Sequence, residues 1–313
     1  MNSPRVSVIV PIFNGAVLID ECQAALSPVL DRLEGGAEVI YVDDGSTDDS
    51  IEVLRRVQAL DPRVRIVELA ANFGQHAAFT AGFEHARGRL LVTMDVDLQC
   101  DPADIPRIIE PLTRGFDLVS GVRLDRQDPG ARRLFSRATT SLVSRLAGVE
   151  LRDIGCPLNA FTDDVARSLA PFGELRRFLK PIAVRVARRV TEVEVQHRPR
   201  PKRRASSYSA TSLVRLFMDF FVNAIGDVFA WVFVIAAALA VLLLAGGMLL
   251  VVLGLLPGIT GAVVIGVWVF ILGIQATLLA LFGLAGDYIQ RIYRQSSGRP
   301  FYLVRRVHDG APR

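Results

Sequence analysis

Leu90-Leu91-Val92-Thr93-Met94-Asp95-Val96-Asp97-Leu98-Gln99 decides the fold: an apolar run ends abruptly in two carboxylates one residue apart. The run has the length of a buried strand, and carboxylates at its end can hold a divalent cation that in turn holds a diphosphate. Upstream, residues 6–11 form a similar apolar run leading into Pro11-Ile12-Phe13-Asn14, and residues 38–42 form another that ends in Asp43-Asp44-Gly45-Ser46. Further strands are expected at 64–69 and 118–122. Helical patterns lie between them at 17–33, up to about residue 60, at 75–85 and at 102–112. Strands alternating with helices predict an α/β fold: a mostly parallel, Rossmann-like sheet with helices on both faces. Ligands of such sheets bind outside the carboxyl ends of the strands, so one crevice would collect all three motifs. Beyond residue 128 an arginine-rich helix is expected through 147. A short helical stretch at 163–169 and a strand at 190–195 follow.

Asp43-Asp44-Gly45-Ser46 also fits a plain strand-to-helix turn with Ser46 or Thr47 as cap. Beside Asp95 and Asp97, however, two acidic strand ends in one sheet need a partner for their charge. A nucleotide supplies one, because base N–H groups and ribose hydroxyls donate to carboxylates while a metal neutralises the diphosphate. Gln99 adds a neutral oxygen ligand. The chain has neither GxGxxG nor a Walker loop, so dinucleotide binding and NTP hydrolysis find no support. His76, at a helix start, falls near the crevice; His85, His197 and His308 read as surface or packing residues. Cys156 reads as a small buried residue rather than a nucleophile.

Residues 228–286 contain no Asp, Glu, Lys or Arg. One span of a core roughly 30 Å thick needs about 20 apolar residues, so the block suits two spans. They are expected at 229–254 and 261–285, with Leu256-Pro257-Gly258 as the turn. Basic residues crowd both outer flanks and the turn is uncharged, which places both termini on the cytoplasmic side. The expected organisation is a cytoplasmic catalytic domain at 1–205, an interfacial helix at 206–226, two spans at 227–287 and a cytoplasmic tail at 288–313. No signal peptide is expected at the start, and Cys22, Cys100 and Cys156 match no zinc spacing. A multi-pass inner-membrane protein with no nucleic-acid partner follows from this reading.

Taken together, Val8-Ile9-Val10-Pro11-Ile12-Phe13-Asn14, Val42-Asp43-Asp44-Gly45-Ser46, Asn72-Phe73-Gly74-Gln75-His76, Asp95–Gln99, Gly121-Val122-Arg123, Asp153-Ile154-Gly155-Cys156 and Ser206-Ser207-Tyr208 resemble a family 2 glycosyltransferase with the GT-A fold. The similar group is the bacterial polyprenyl-phosphate glycosyltransferases. The resemblance implies inverting transfer of one sugar from a UDP- or GDP-sugar to polyprenyl phosphate at the lipid bilayer, with Mg²⁺ or Mn²⁺. It implies that Pro11, Phe13, Asp43 and Asp44 hold the nucleoside. Asp95, Asp97 and Gln99 would hold the metal and diphosphate, and Arg123 a phosphate. Asp97 and Asp153 would be catalytic, Asp153 at a position proposed as the base. Lys202, Arg203, Arg204 and Tyr208 fall to the acceptor phosphate. It further implies a homo-tetramer with exchanged C-terminal strands, for which residues 299–304 are the candidate.

The chain departs from that pattern in places. Gly15 stands where a glutamate is usual, and Asn159 where the arginine of Cys-x-Leu-Arg-Ala is usual. The Arg-x-x-Gly-x-Ser-Lys motif before the membrane reads Pro201-Lys202-Arg203-Arg204-Ala205-Ser206-Ser207, without its first Arg or its Lys. Two rival readings are a processive polysaccharide synthase and a non-catalytic sugar-nucleotide scaffold. Two spans cannot form a polymer channel and Gln-x-x-Arg-Trp is absent, which disfavours the first. The intact Asp95, Asp97 and Gln99 disfavour the second.

Overall fold

The computed structural model describes residues 4–124, 151–169, 179–197, 242, 245–247, 249, 252, 260–296 and 300–309. In chain order the elements are β1 (Val6–Ile12), α1 (Ala16–Arg32), β2 (Ala37–Asp43), α2 (Ser50–Leu60), β3 (Val64–Leu69), α3 (Gln75–His85), β4 (Leu90–Thr93), a 3₁₀ turn (Pro102–Asp104) and α4 (Ile105–Thr113). They continue with β5 (Leu118–Arg123), β6 (Asn159–Thr162), α5 (Asp163–Ser168), α6 (Leu179–Val186), β7 (Val190–Val195), α7 (Thr260–Ser296) and β8 (Val304–His308).

Eight strands make one sheet in the order β7-β5-β6-β4-β1-β2-β3-β8. β4, β1, β2 and β3 run parallel to their neighbours in that group, and β7 runs parallel to β5. β1 and β4, in the middle of the sheet, are mostly apolar on both faces because helices cover both. Along β1, Val8, Val10 and Ile12 enter a core shared with α1, α2 and α4, while Ile9 enters the opposite core with Phe83 of α3, Val165 of α5 and Ala183 of α6. Helix α3 lies against β1 so closely that a Cβ on Gly82 would sit 2.2 Å from Ile9 Cγ2. That approach fixes where the start of α3 meets the strand ends.

The mostly parallel α/β sheet agrees with expectation; one of its strands, β6, was not expected, and another, β8, lies later than expected. β6 inserts antiparallel between β4 and β5. Its four residues are nearly all buried, and they form a strand because hydrogen bonds reach them from both neighbours. β8 pairs antiparallel with β3 of its own chain. The strand expected at 299–304 lies further on: it runs Val304–His308 and here completes this chain's own sheet. Charge holds it there, with Glu68 of β3 facing Arg305 and His308, and Arg65 bonding Asp309 at 2.7 Å.

The chain divides into two compact units, Met1–Ser209 with Pro300–Arg313, and Ala210–Arg299. In the second unit, α7 is 37 residues long. Its window Gly266–Gly283 has mean hydropathy 2.0 and none of it is buried. Among the described residues it is the one helix long and apolar enough to cross a membrane. It contains the expected span at 261–285. The expected span at 229–254, the turn after it, the interfacial helix, the basic linker at 198–204 and the arginine-rich helix at 128–147 lie wholly or largely outside the described residues.

Candidate active site

The chain leaves β1 for β2 and β3 on one side, then returns to β4 on the other. This reversal of strand order opens a crevice at the carboxyl ends of β1, β2 and β4. The loops after β1 and β2 are tied together there. The Asn14 N–H donates to Ser46 Oγ at 3.0 Å, the Thr47 N–H to Asn14 Oδ1 at 2.8 Å, and the Gly15 N–H to Ser50 Oγ at 3.0 Å. Phe13 is left 47% exposed at this rim, an apolar ring available for stacking. Gly45 is required in this turn. Its φ is +70°, and a Cβ would lie 2.4 Å from the Ala71 carbonyl carbon.

Asp43 and Asp44 are both buried. Asp44 accepts the N–H groups of Phe73 and Gly74, each at 2.8 Å. It thus braces the loop after β3 as well as bounding the crevice. That loop hands on to α3, where Gln75 Nε2 donates to Asp95 Oδ1. Asp97 Oδ1 accepts the Gln99 N–H at 3.2 Å across Leu98, whose φ is +53°. A non-glycine residue so placed costs about 1–3 kcal/mol and is typical of a preorganised functional loop. The strand ends are therefore linked in series: Asp44 to residues 73 and 74, Gln75 to Asp95.

Burial pushes the Asp44 carboxyl up to about 6, against the two N–H bonds that favour its charged form, and burial also raises Asp43. A carboxyl whose folded pKa is raised binds more protons folded than unfolded between its ordinary value and about 6. Stability contributed by that group is thus present at the acidic end and lost as pH rises through that window. The melting temperature of the ligand-free chain is expected to fall as pH is raised through this range, and Asp44→Asn is expected to flatten the slope. An unchanged slope in Asp44→Asn would contradict the assignment.

Arg123 ends β5 and meets Asp153 in a two-pronged ion pair, Nε–Oδ2 2.7 Å and Nη2–Oδ1 2.9 Å. The Gly155 N–H also donates to Asp153 Oδ1 at 3.1 Å. The carboxylate holds the Arg123 guanidinium well above its ordinary pKa even though burial opposes this. Cys100, directly after Gln99, has its Sγ 3.9 Å from that of Cys156, and Thr93 Oγ1 donates to the Pro157 carbonyl at 2.8 Å. These contacts lay the 153–157 turn against the Asp95–Gln99 loop, and Cys100 feels the charges of both Asp95 and Arg123.

The structure brings together Pro11, Phe13, Asp43, Asp44, Asp95, Asp97 and Gln99 around one set of strand ends, with Arg123 and Asp153 joined to them through β5 and the Cys100–Cys156 contact. Lys202, Arg203, Arg204 and Tyr208 lie outside the described residues. Sequence reasoning missed Lys180, a buried lysine on α6 whose Nζ donates to the Asp153 carbonyl at 2.7 Å. Its one signal was a lysine inside the apolar run Leu179-Lys180-Pro181-Ile182.

The donor set suits a hard cation. Among the described residues no three His, Cys, Asp or Glu side chains cluster as a closed metal cage. Two carboxylates and an amide remain on one short loop. That is the partial set Mg²⁺ or Mn²⁺ accepts when a substrate's phosphates complete the shell.

This fold and donor set are those of a sugar-transferring enzyme. Residues 7–165 match the family model "Glycosyl transferase family 2", and the chain belongs to that family. Among curated proteins it is 34% identical over 307 residues to the undecaprenyl-phosphate 4-deoxy-4-formamido-L-arabinose transferase of Edwardsiella ictaluri, covering 96% of this chain and 94% of that one. It is likewise 34% identical over 308 residues to the protein of the same name from Klebsiella pneumoniae, covering 97% and 93%. Among solved structures, glucosyl-3-phosphoglycerate synthase from Mycobacterium tuberculosis superposes with a TM-score of 0.52 at 20% identity, over 71% of this chain and 81% of that one. Its complex with Mn²⁺ and UDP-glucose gives 0.51 at 18% identity, over 71% and 79%.

Proposed function

We propose that this glycosyltransferase moves one sugar from a nucleotide-diphosphate sugar to a polyprenyl phosphate of the undecaprenyl type, with inversion, at the cytoplasmic face of the membrane. The observation that carries the reading is the serial brace from Asp44 through Gln75 to Asp95 at the point where strand order reverses. It sets a carboxylate pair for a metal diphosphate beside the Arg123 cation. The names of the full-length relatives support the lipid acceptor, and the apolar α7 supports a membrane site.

In this reading Pro11, Phe13 and Asp43 hold the base and ribose, with Asp44 keeping the neighbouring loop in place. Asp95, Asp97 and Gln99 would hold Mg²⁺ or Mn²⁺, which when bound supplies positive charge to the leaving diphosphate. An acceptor phosphate oxygen forms the new bond to the anomeric carbon as the bond to the nucleotide diphosphate breaks. A phosphate monoester has a second pKa near 6, so the acceptor arrives largely dianionic and needs no strong base. Asp153, already engaged by Arg123 and Gly155, orients the arginine rather than removing a proton. Arg123 with Lys202, Arg203, Arg204 and Tyr208 would meet the acceptor phosphate. A homo-oligomer belongs to the same reading and rests on the resemblance alone.

A screen of UDP- and GDP-sugars tests it. Release of nucleotide diphosphate is expected with one donor and only when undecaprenyl phosphate is present; release that ignores the lipid would overturn the acceptor. Tags at Met1 and Arg313 are both expected on the cytoplasmic side, while a cysteine replacing Gly258 is expected to label from outside. Labelling of either terminus from outside would refute the two-span arrangement.

A further inference from the structure

Lys180 is an expensive residue to keep. It sits on α6 between Leu179 and Ala183, all three buried, on the face that packs into the apolar core. Taking an ammonium out of water costs several kcal/mol unless its surroundings repay it. Among the described residues Lys180 has no carboxylate in ion-pair contact; its Nζ spends its charge on a neutral acceptor, the backbone carbonyl of Asp153, at 2.7 Å. Burial lowers its pKa, opposed by the nearby Cys156, Asp153 and Glu192. An apolar side chain would suit the core better, so the cation is kept for what it holds.

What it holds is the turn that aims Arg123. The Asp153 carboxylate is bound by Arg123 and by the Gly155 N–H, and the Cys156 carbonyl accepts Asn159 Nδ2 at 2.9 Å. Lys180 secures the Asp153 carbonyl. Asp153 occupies Nε and Nη2 of the guanidinium, and among the described residues Nη1 has no hydrogen-bond partner, which suits it to an anion. Beside the same turn, Asn159 Oδ1 is buried with no hydrogen-bond partner among the described residues. A site with an orphan acceptor has room in its chemistry for a donor.

We propose that Lys180 is a positioning residue for sugar transfer: its buried ammonium fixes the backbone of Asp153, and through the Asp153–Arg123 pair it orients the guanidinium that meets substrate phosphate. This rests on the glycosyltransferase reading given above.

The test is Lys180→Met alone and with Asn159→Arg, assayed for transfer and for melting temperature beside the wild type in the same detergent. Lys180→Met removes the cost of burying an ammonium but takes the Lys180 donor from the Asp153 carbonyl, two effects of opposite sign. Lys180→Met is therefore expected to melt within about 5 °C of wild type while its turnover falls roughly 10- to 100-fold, at a donor KM changed less than about twofold. Asn159→Arg, which places a cation beside the turn from β6, is expected to recover roughly tenfold of the lost turnover in the double variant. Turnover of Lys180→Met within about twofold of wild type would overturn the proposal. So would a fall in melting temperature that parallels the loss of activity, or a double variant no better than the single one. A wild type that transfers no sugar would instead count against the glycosyltransferase reading, and the two failures are told apart by that control.

Discussion

Asp97→Asn is expected to lower turnover by roughly three orders of magnitude while leaving the fold intact. The side chain is isosteric, and the Gln99 N–H that donates to it at 3.2 Å can still be accepted by an amide oxygen. What is lost is one of the two carboxylates, Asp95 and Asp97, that with the Gln99 amide make up the candidate donor set. The variant is also expected to need far more Mn²⁺ to bind UDP or GDP, which calorimetry reads without any turnover. A folded Asp97→Asn protein with near wild-type rate and metal requirement would remove the loop from the chemistry.

The largest effect on stability is expected at Arg123. Arg123→Met would take the guanidinium from the buried Asp153 carboxylate while leaving it the backbone N–H groups of Arg123, at 3.3 Å, and Gly155, at 3.1 Å. Removing one member of a buried ion pair costs about 3–5 kcal/mol, which for a domain of this size is a fall in melting temperature of roughly 10 °C. Adding Asp153→Asn is expected to restore most of the stability and none of the activity, since the phosphate-binding cation remains absent. Equal loss in the single and double variants would show that the pair does not hold the turn. Asp153→Asn alone separates orientation from proton transfer: the rate is expected to fall without loss of the acidic limb of its pH profile, and disappearance of that limb would make Asp153 a base.

Much of this was legible in the residues because the parallel strands at the crevice read as largely apolar runs, while the flanking strands keep β-branched and apolar residues between their charges. β3 and β7 lie at the expected 64–69 and 190–195, and α3 begins and ends as its pattern predicts at 75–85. The strand-end motifs were legible for the same reason, since the end of an apolar run locates the crevice. β6 was not, because four residues carry no period and their strand state comes from neighbours 66 and 39 residues upstream, Thr93 and Ser120 opposite Asn159. β8 was misplaced because Val304-Arg305-Arg306-Val307-His308 is mostly basic and is drawn to Glu68 by charge rather than by an apolar pattern. Within the site, the pairing of Arg123 with Asp153 spans 30 residues, and the bracing role of Asp44 depends on backbone N–H groups that no side-chain motif reveals.

Mass spectrometry of the lipid formed from undecaprenyl phosphate and the active sugar nucleotide tests the central claim most directly. Transfer at the anomeric carbon predicts the mass of the polyprenyl monophosphate plus one sugar residue, with nucleotide diphosphate released in equal amount. A lipid carrying a sugar through a diphosphate, a ladder of added sugars, or an unmodified lipid beside consumed donor would contradict it.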